Sequence, residues 1–426
     1  MSTNNNISDA SAVLDRPEFP DFDPLATDDA CDPWPILKRA REEQPVFWMP
    51  KLEMYCVTKY ADIKTIHADQ KTYSNSGANH MRVPLPEGME IPPGCPFPGI
   101  GDSMANQDGE SHLRLRRLMQ AAFSRPRVAQ FAPQIEEIAH KLIDEIVDRG
   151  SADLVTEFSN KMAMQTISVA LGFEREKADS FRVWTDYFLN LMSSPEMSEE
   201  DARRQWGGLI DWYKDIEQLV QQRRDKPEDD LISDLIRVTP DDGTKPITDS
   251  EIIANVMAFI VTGTDTTAIL ITQIVRSLHT EGLWEVVRDD RERIDQVIEE
   301  TVRHVGVVRG LNRVTLKDTE LSGVKIPAGS VIYWMGASGN RDAEKFTDPE
   351  KFVLGRKNFH EHAGFSGGRH FCIGAPLARL ETKIAFNALF DRLPGLRVPE
   401  QTVRFSPSFI TPTPKGLQVE WEVNDR

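Results

Sequence analysis

Apolar residues recur three and four positions apart along most of the chain, the spacing that places them on one face of an α-helix. The pattern starts at Trp34 and dominates residues 111–238. Short apolar runs bounded by turn residues predict β-strands instead. We therefore expect a mainly α-helical protein with small β-sheets. Helices are predicted over 34–40, 114–119, 132–147, 179–192 and 199–224, and strands over 46–48, 54–57, 324–326 and 331–333.

Residues 74–109 follow neither period and are rich in proline and glycine. A loop of this length inside a compact protein is usually functional or disordered. Met81, Met89 and Met104 give it a soft, adaptable apolar surface, which suits a lid over a substrate. An irregular surface loop is the alternative.

A further helix is predicted to begin at Thr248, because Thr248 and Glu251 have the spacing of a capping box. Residues 252–270 are apolar almost all round, which is typical of a helix buried on every side. The polar segment 262–267 interrupts this helix, although an unpartnered buried Asp265 would cost several kcal/mol. Such violations occur at functional sites, which is the interpretation we favour. The alternative is that the threonine hydroxyls bond back to carbonyls one turn earlier and bend the helix.

Composition narrows the class of protein. The 426 residues carry 50 Lys and Arg against 67 Asp and Glu, a net charge of −17, which disfavours nucleic-acid binding. Apolar residues make up 40% and the mean hydropathy is −0.41, which excludes collagen-like, coiled-coil and disordered chains. Length alone suggests two or three domains at roughly 150 residues each. Because no linker or repeat divides the chain, we expect a flexible segment over 1–30 and a single domain over 31–426.

Neither membrane insertion nor export is expected. The N-terminus lacks an apolar signal region, and the longest apolar stretch, 252–261, is shorter than the roughly 18 residues of a spanning helix. Widely spaced cysteines without a paired metal-binding motif favour a reduced, cytoplasmic protein. These cysteines are Cys31, Cys56, Cys95 and Cys372.

Cys372 differs from the others because it lies in a glycine-rich loop, residues 364–374, directly before a predicted helix with Pro376 in its first turn. Backbone N–H groups and the positive end of the helix dipole favour a thiolate there. The glycines let the loop fold tightly beneath a flat ligand. A thiolate is the axial ligand that favours O–O cleavage at haem iron.

Phe365, Gly368, Cys372 and Gly374 resemble the haem-binding signature F-x-x-G-x-x-x-C-x-G of the cytochrome P-450 family. Other motifs of that family stand upstream in the right order, so the resemblance covers nearly the whole chain. They are Glu300–x–x–Arg303, the oxygen-activating segment 263–267, His112–x–x–x–Arg116, and the meander over 340–352.

The resemblance implies the cytochrome P-450 fold, in which haem lies between a long central helix and the loop and helix of the cysteine ligand. Cys372 would be the proximal thiolate ligand of haem b. His112 and Arg116 lie four residues apart on one helical face and could both reach the haem propionates. By position the resemblance adds Arg313 and His370 to that set. Ordinary surface charges are the alternative for His112 and Arg116.

Two further roles are implied for the central helix. Thr266 would hydrogen-bond dioxygen and Asp265 would feed protons toward it, since an acid beside an alcohol forms a sensible proton relay. Thr262 stands where the family has alanine or glycine, and its methyl and hydroxyl groups could narrow the pocket.

Glu300 and Arg303 are expected to pair as a structural brace, not as a catalytic dyad. The third partner in the family is an arginine of the meander. That position corresponds to Lys351 here, which lacks the bidentate fork. Arg356 lies nearby and could compensate, so the sequence leaves the third partner open.

The implied function is a haem-thiolate monooxygenase that hydroxylates or O-demethylates a small hydrophobic substrate, such as a terpenoid or aromatic ether. The chain has no flavin or iron–sulfur motif, so NAD(P)H-derived electrons would come from a separate ferredoxin and its reductase. We expect a monomer. Arg309 could meet a substrate carboxylate or face solvent. The pocket would include Met81, Ala258, Thr262, Val308, Leu311, Ile410 and Thr411.

A ferredoxin is acidic, so it would dock on a local basic patch despite the overall charge. Two other functions stay open: a haem-thiolate enzyme that uses peroxide or needs no electrons, and a haem sensor or carrier. The pair Asp265–Thr266 argues against both. The predicted patch consists of Arg114, Arg116, Arg117, Arg125, Arg127 and Arg379.

Overall fold

Helices occupy most of the described chain, as the apolar spacing predicts. The computed structural model describes residues 16–23, 26, 32–78, 81–96, 102–174, 177–193, 197–238, 243–406, 408 and 410–423. The helices are α1 (Trp34–Glu43), α2 (Tyr60–Ala68), α3 (Gly109–Gln120), α4 (Arg125–Ala129), α5 (Ala132–Asp144), α6 (Asn160–Leu171), α7 (Ala178–Ser193), α8 (Glu199–Asp225), α9 (Leu231–Arg237), α10 (Asp249–Thr280), α11 (Trp284–Asp289), α12 (Ile294–Val305), α13 (Gly336–Gly339) and α14 (Ala375–Arg392).

Short strands form three small sheets among the described residues, and the four predicted strands are confirmed. The strands are β1 (Val46–Met49), β2 (Met54–Val57), β3 (Tyr73–Ser74), β4 (Ser151–Asp153), β5 (Leu311–Thr315), β6 (Thr319–Leu321), β7 (Val324–Ile326), β8 (Val331–Trp334) and β9 (Gln418–Glu420). The largest sheet has the order β1-β2-β8-β5-β3 and is antiparallel except where β2 meets β8. The other two sheets pair β4 with β9 and β6 with β7.

Helix α10 is the central element of the fold. It begins after Thr248, whose hydroxyl accepts from the N–H of Glu251 while the Glu251 carboxylate accepts from the N–H of Thr248, as the capping box predicts. Its 32 residues pack against α6, α7, α8, α12 and α14. By length and a mean hydropathy of 1.5 it could span a membrane, but 67% of that apolar window is buried inside the protein. The apolar surface of α10 is therefore accounted for by core packing.

The segment between β3 and α3 contains one short 3₁₀ turn, Met104–Asn106, among its described residues. Its start is held against α7, because the backbone N–H groups of Arg82 and Val83 both donate to the carbonyl of Leu191, at 2.9 and 3.1 Å. Met81 and Met89 are partly buried against the main core. The segment thus lies where a lid over the α7 side of the fold would lie.

The expected flexibility of residues 1–30 is wrong for residues 16–23. Phe19 and Phe22 are buried against Phe47 of β1, and the N–H of Trp48 donates to the carbonyl of Pro17 at 2.7 Å. The sequence does not predict this contact, because the two phenylalanines stand among polar residues without helical or strand spacing. Residues 1–15 and Cys31 lie outside the described residues.

Glu300 and Arg303 form a buried brace on α12, at 2.7 and 2.8 Å between guanidinium nitrogens and carboxylate oxygens. The third partner is Arg356, whose Nε lies 3.2 Å from both carboxylate oxygens. Lys351 contributes only its backbone carbonyl, which accepts from Arg303 and Arg356, while its side chain is 71% exposed. The brace therefore uses two arginines, and the planar forks of both are occupied.

Replacing Arg356 with lysine keeps the charge but removes the fork that bonds Glu300 and three backbone carbonyls. We expect Arg356→Lys to lower the free energy of unfolding by about 1–3 kcal/mol, measured by denaturant titration. The matched control Lys351→Ala should change it by less than about 0.5 kcal/mol, because that side chain is exposed. Equal losses in both variants would contradict this assignment of the third partner.

Candidate active site

The glycine-rich loop that carries Cys372 is closed on itself by a backbone hydrogen bond. The N–H of Cys372 donates to the carbonyl of Phe365 at 2.9 Å. Ser366 and Gly368 both have φ of +61°, a left-handed conformation that makes the sharp turn and suits glycine at 368. Helix α14 begins at Ala375, and the backbone N–H groups of Gly374 and Ala375 hydrogen-bond the sulfur. Cys372 therefore sits at the positive end of a helix, as predicted.

Opposing effects act on the Cys372 thiol. Burial raises its pKa and outweighs the Gly374 N–H and the charge of Arg116, which lower it. Although protein surrounds the sulfur, Cys372 keeps accessible surface, and so does the neighbouring Phe371. We interpret this accessible surface as one side of the pocket expected from the sequence.

Helix α10 also keeps accessible surface over its polar segment, residues 262–267. Most of the helix is buried, but Thr262 is exposed and Asp265 and Thr266 are partly accessible. Thr262 and Thr266 each donate their hydroxyl proton to the carbonyl one turn earlier, at 2.7 Å. The back-bonding alternative thus describes the threonines correctly, although the helix continues unbroken. The oxygen of Thr266 still has lone pairs with which to accept a hydrogen bond from the cavity.

Asp265 is linked to α7. Its Oδ1 lies 3.4 Å from a guanidinium nitrogen of Arg182, which also contacts Asp186 at 3.3 Å. Burial raises the pKa of Asp265, Arg182 opposes this, and Asp186 adds to it. A carboxyl with a raised pKa beside a hydroxyl holds a proton more readily than a free carboxyl does, which suits a proton donor.

A second polar cluster joins the start of α3 to the cysteine loop. The rings of His112 and His370 are 4.0 Å apart, and Nε2 of His370 lies 3.4 Å from Asp108. Arg116, one turn after His112, donates to the carbonyl of Phe371 at 2.6 Å. Arg313 on β5 is buried, and its charge acts on both Asp108 and His370. The structure therefore brings together all four side chains predicted to bind propionates.

Imidazole nitrogens in this region are left without hydrogen-bond partners. Both ring nitrogens of His112 are buried and have no partner among the described residues. Burial lowers the pKa of His112 to about 4, with contributions from His370 and Arg116. His67 on α2 has the same deficit, and burial and Arg313 lower its pKa to about 3. Unpartnered buried imidazoles beside arginines are suited to an anionic ligand.

Comparison with known proteins decides the family. A sequence profile described as Cytochrome P450 matches residues 45–280 and 287–421. Cytochrome P450 107B1 of Saccharopolyspora erythraea is 33% identical over 388 residues, covering 89% of this chain and 92% of that protein. The chain belongs to the cytochrome P450 family.

Other relatives agree with this assignment. The 6-deoxyerythronolide B hydroxylase of the same organism is 30% identical over 81% of this P450 and 84% of its own length. The crystal structure of CYP109E1 from Bacillus megaterium in complex with corticosterone superposes with a TM-score of 0.79 at 26% identity, covering 92% of this chain and 99% of that one. The P450 fold, predicted from the motifs, is confirmed.

Family membership implies a haem with a cysteine thiolate ligand, and the residues present fit that group. Cys372 lies directly before a helix N-terminus and keeps accessible surface. The unpartnered nitrogens of His112, together with Arg116 and Arg313, match the needs of carboxylate groups such as propionates. Gly374 fits too, because its backbone N–H hydrogen-bonds the sulfur.

The predicted pocket residues all keep some accessible surface, as cavity-lining residues would. The segments that carry Val308 and Ile410 meet, since the N–H of Arg309 donates to the carbonyl of Ile410 at 2.8 Å. Arg309 is only 7% exposed, so the expectation that it could face solvent is wrong. The other members of this set are Met81, Ala258, Thr262, Leu311 and Thr411.

The basic patch predicted for a redox partner is smaller than expected, because three of its arginines are ion-paired. Arg114 pairs with Glu251, Arg127 with Asp229 and Asp234, and Arg379 with Glu299. Arg125 is exposed on α4, which packs against α14, and the exposed Arg369 belongs to the cysteine loop itself.

Sequence reasoning missed Asp108, His67 and Arg182. Asp108 had a local signal, since it stands at the N-cap of α3, four residues before His112. His67 had none, because it occupies an ordinary helical position that reaches the loop only through the packing of α2 against Gly367 and Gly368. Arg182 lies 83 residues from Asp265 along the chain.

Replacing His112 with alanine removes an imidazole whose nitrogens are otherwise unpartnered. We expect His112→Ala to accelerate haem loss to an acceptor globin by roughly 10- to 100-fold, since a hydrogen bond to a charged group contributes about 1.5–3 kcal/mol. The exposed His140 on α5 provides the control, and His140→Ala should lose haem at the wild-type rate. An unchanged rate in His112→Ala would exclude it as a haem contact.

Proposed function

We propose that this P450 is a monooxygenase that inserts one oxygen atom into a compact, largely hydrophobic molecule, using electrons from a separate ferredoxin and its NAD(P)H-dependent reductase. The observation that carries the proposal is the pairing of a thiolate site at Cys372 with the acid–alcohol pair Asp265–Thr266 on α10. A haem b held by Cys372 is the proposed cofactor. We also propose a cytoplasmic, monomeric enzyme.

Each side chain of the site has a distinct proposed role. When bound, a thiolate-ligated haem activates O₂ with two electrons, so that one oxygen atom enters the substrate and the other leaves as water. His112, Arg116, Arg313 and His370 would hold the propionates, while Phe365, Gly368 and Gly374 shape the loop beneath the ring.

Asp265 is the proposed proton source. Its carboxyl holds a proton more readily than usual because it is buried. Arg182 links Asp265 to Asp186 on α7, which would be the next group of the proposed relay. Thr266 would accept a hydrogen bond at Oγ1, since its own proton is donated to the carbonyl of Thr262.

Several observations bear on the substrate. The pocket set contains small and medium apolar side chains, and Thr262 adds a hydroxyl whose proton is already donated to Ala258. A fold neighbour binds corticosterone, and a relative hydroxylates 6-deoxyerythronolide B. Hydroxylation of a multi-ring or terpenoid-like substrate is therefore our first choice, with O-demethylation of an aromatic ether second. A polyketide is a further candidate, because one relative is named for polyketide biosynthesis.

The reduced protein under CO tests the ligand. Wild type should give the red-shifted Soret band of a thiolate-ligated haem, and Cys372→His should lose it while still binding haem. A substrate library can then be screened for the high-spin Soret shift that displacement of iron-bound water produces.

Turnover separates the function classes. We expect product with a surrogate ferredoxin system and NAD(P)H, and much less with peroxide alone. Product only with peroxide would favour the peroxide-using alternative. Haem binding without turnover of any shifting compound would favour a sensor or carrier.

The pH dependence of turnover tests Asp265. Asp265→Asn should reduce turnover by about 100-fold, a typical contribution of general acid catalysis.

The acid works only while protonated, so turnover should fall as the pH rises through its pKa. Arg182→Gln removes the charge that lowers the pKa, so the fall should move to higher pH. Asp186→Asn should move it to lower pH, because Asp186 raises the pKa. Unmoved profiles in both variants would remove Asp265 from the relay.

A further inference from the structure

Glu299, the residue before the brace carboxylate, forms a separate buried cluster. Its carboxylate accepts two hydrogen bonds from Arg379 of α14, at 2.5 and 2.9 Å, and lies 3.1 Å from Nε2 of His362. Burial would raise the pKa of Glu299, but the bonds from Arg379 and His362 outweigh it and lower the pKa to about 2. Glu299 is therefore a fixed negative charge, 3% exposed, between two helices.

The cluster leads directly to the cysteine loop. The guanidinium of Arg379 lies 4.4 Å above the ring of Phe365, a cation–π contact. The carbonyl of Phe365 in turn accepts the N–H of Cys372. On the other side, Nδ1 of His362 accepts the N–H of Gly364 at 3.2 Å, which leaves its Nε2 proton for Glu299. Glu299 thus holds both the start of the loop and the aromatic ring on which the loop closes.

Glu299 and Arg379 also place two opposite charges near the cysteine loop. Arg379 carries its positive charge against the ring of Phe365, and Glu299 partly cancels that charge because the two groups are in bidentate contact. Nothing in the motif resemblance assigns a role to Glu299. Arg379 is bonded to Glu299 and lies over Phe365, whereas an arginine that docks a partner protein would have to be exposed and unpaired.

We propose that Glu299 is a positioning residue for the cysteine ligand, which acts through Arg379 to fix the loop at Phe365 and to set the reduction potential of the bound haem. This inference rests on the proposed function, since it takes Cys372 to be the iron ligand. Reduction adds one negative charge to the iron site. A less compensated Arg379 therefore stabilises the reduced state, and loss of Arg379 destabilises it.

Spectroelectrochemical titration of the holoenzymes tests the proposal, because the two partners should act in opposite directions. Glu299→Gln keeps the shape but removes the negative charge, so the potential should rise. Arg379→Gln removes the positive charge, so the potential should fall. Each shift should correspond to a change of roughly threefold to tenfold in the ratio of reduced to oxidised protein at a fixed potential.

The same two helices provide matched controls. Lys383 of α14 and Asp295 of α12 form an exposed ion pair one turn away, at 3.3 Å. Asp295→Asn and Lys383→Gln should leave the potential at the wild-type value. Arg379→Lys should keep the potential near that value, since the charge remains, but should lose haem faster because the planar contact with Phe365 and Glu299 is lost.

The outcomes separate this inference from the proposed function. Opposite shifts in Glu299→Gln and Arg379→Gln, with silent controls, support it. Shifts of the same sign, or shifts no larger than those of the controls, overturn it even when the wild type shows a thiolate spectrum. If Glu299→Gln does not retain haem, the difference in potential between Arg379→Lys and Arg379→Gln decides. A wild type without the thiolate spectrum would instead refute the proposed function.

Discussion

Two adjacent carboxylates on α12 hold the chain segment that leads to Cys372. Glu300 bonds Arg303 and Arg356 and also accepts the N–H of Val353 at 2.8 Å, which fixes the meander before the loop. Glu299 bonds Arg379 and His362, which fixes the loop and the helix after it. Removing one partner of such a buried pair costs about 3–5 kcal/mol, because the remaining charge is left without compensation. The ligand loop is therefore positioned by charges that cannot easily rearrange.

Helix α10 forms the opposite wall of the cavity and combines a buried apolar surface with a short polar segment. Helix α10 is among the most buried elements, yet it carries Thr262, Asp265 and Thr266 toward accessible space. Threonine hydroxyls satisfied by carbonyls one turn earlier let the helix continue through this polar segment. Of these three residues, Asp265 is the one whose side chain bonds a partner outside the helix, Arg182. The backbone of this wall is one continuous helix, and the protonation of Asp265 is set by groups outside that helix.

The sequence predicts the parts of the site whose signals are local. The capping box at Thr248, the glycine loop around Cys372 and the four-residue spacing of His112 and Arg116 each lie within one turn or one loop. Contacts between distant segments could not be predicted in this way. Glu299 meets Arg379 across 80 residues, and the sequence pattern gave no reason to pair them.

Other differences have similar causes. Arg356, not Lys351, completes the brace because the meander turns the Lys351 side chain outward, which motif alignment cannot show. Arginines counted as a basic patch proved to be paired across helices.

The N-terminal segment has a consequence for how the chain behaves in solution. Strand β1 is the outermost strand of the largest sheet, and its open side would offer unpaired backbone groups to another molecule. Residues 17 and 18 run alongside Trp48 and occupy part of that side, while Phe19 and Phe22 cover the apolar face behind it. The segment therefore protects this edge from pairing with another molecule, and a version of the protein shortened past residue 22 would expose the β1 edge and the apolar side chains behind it.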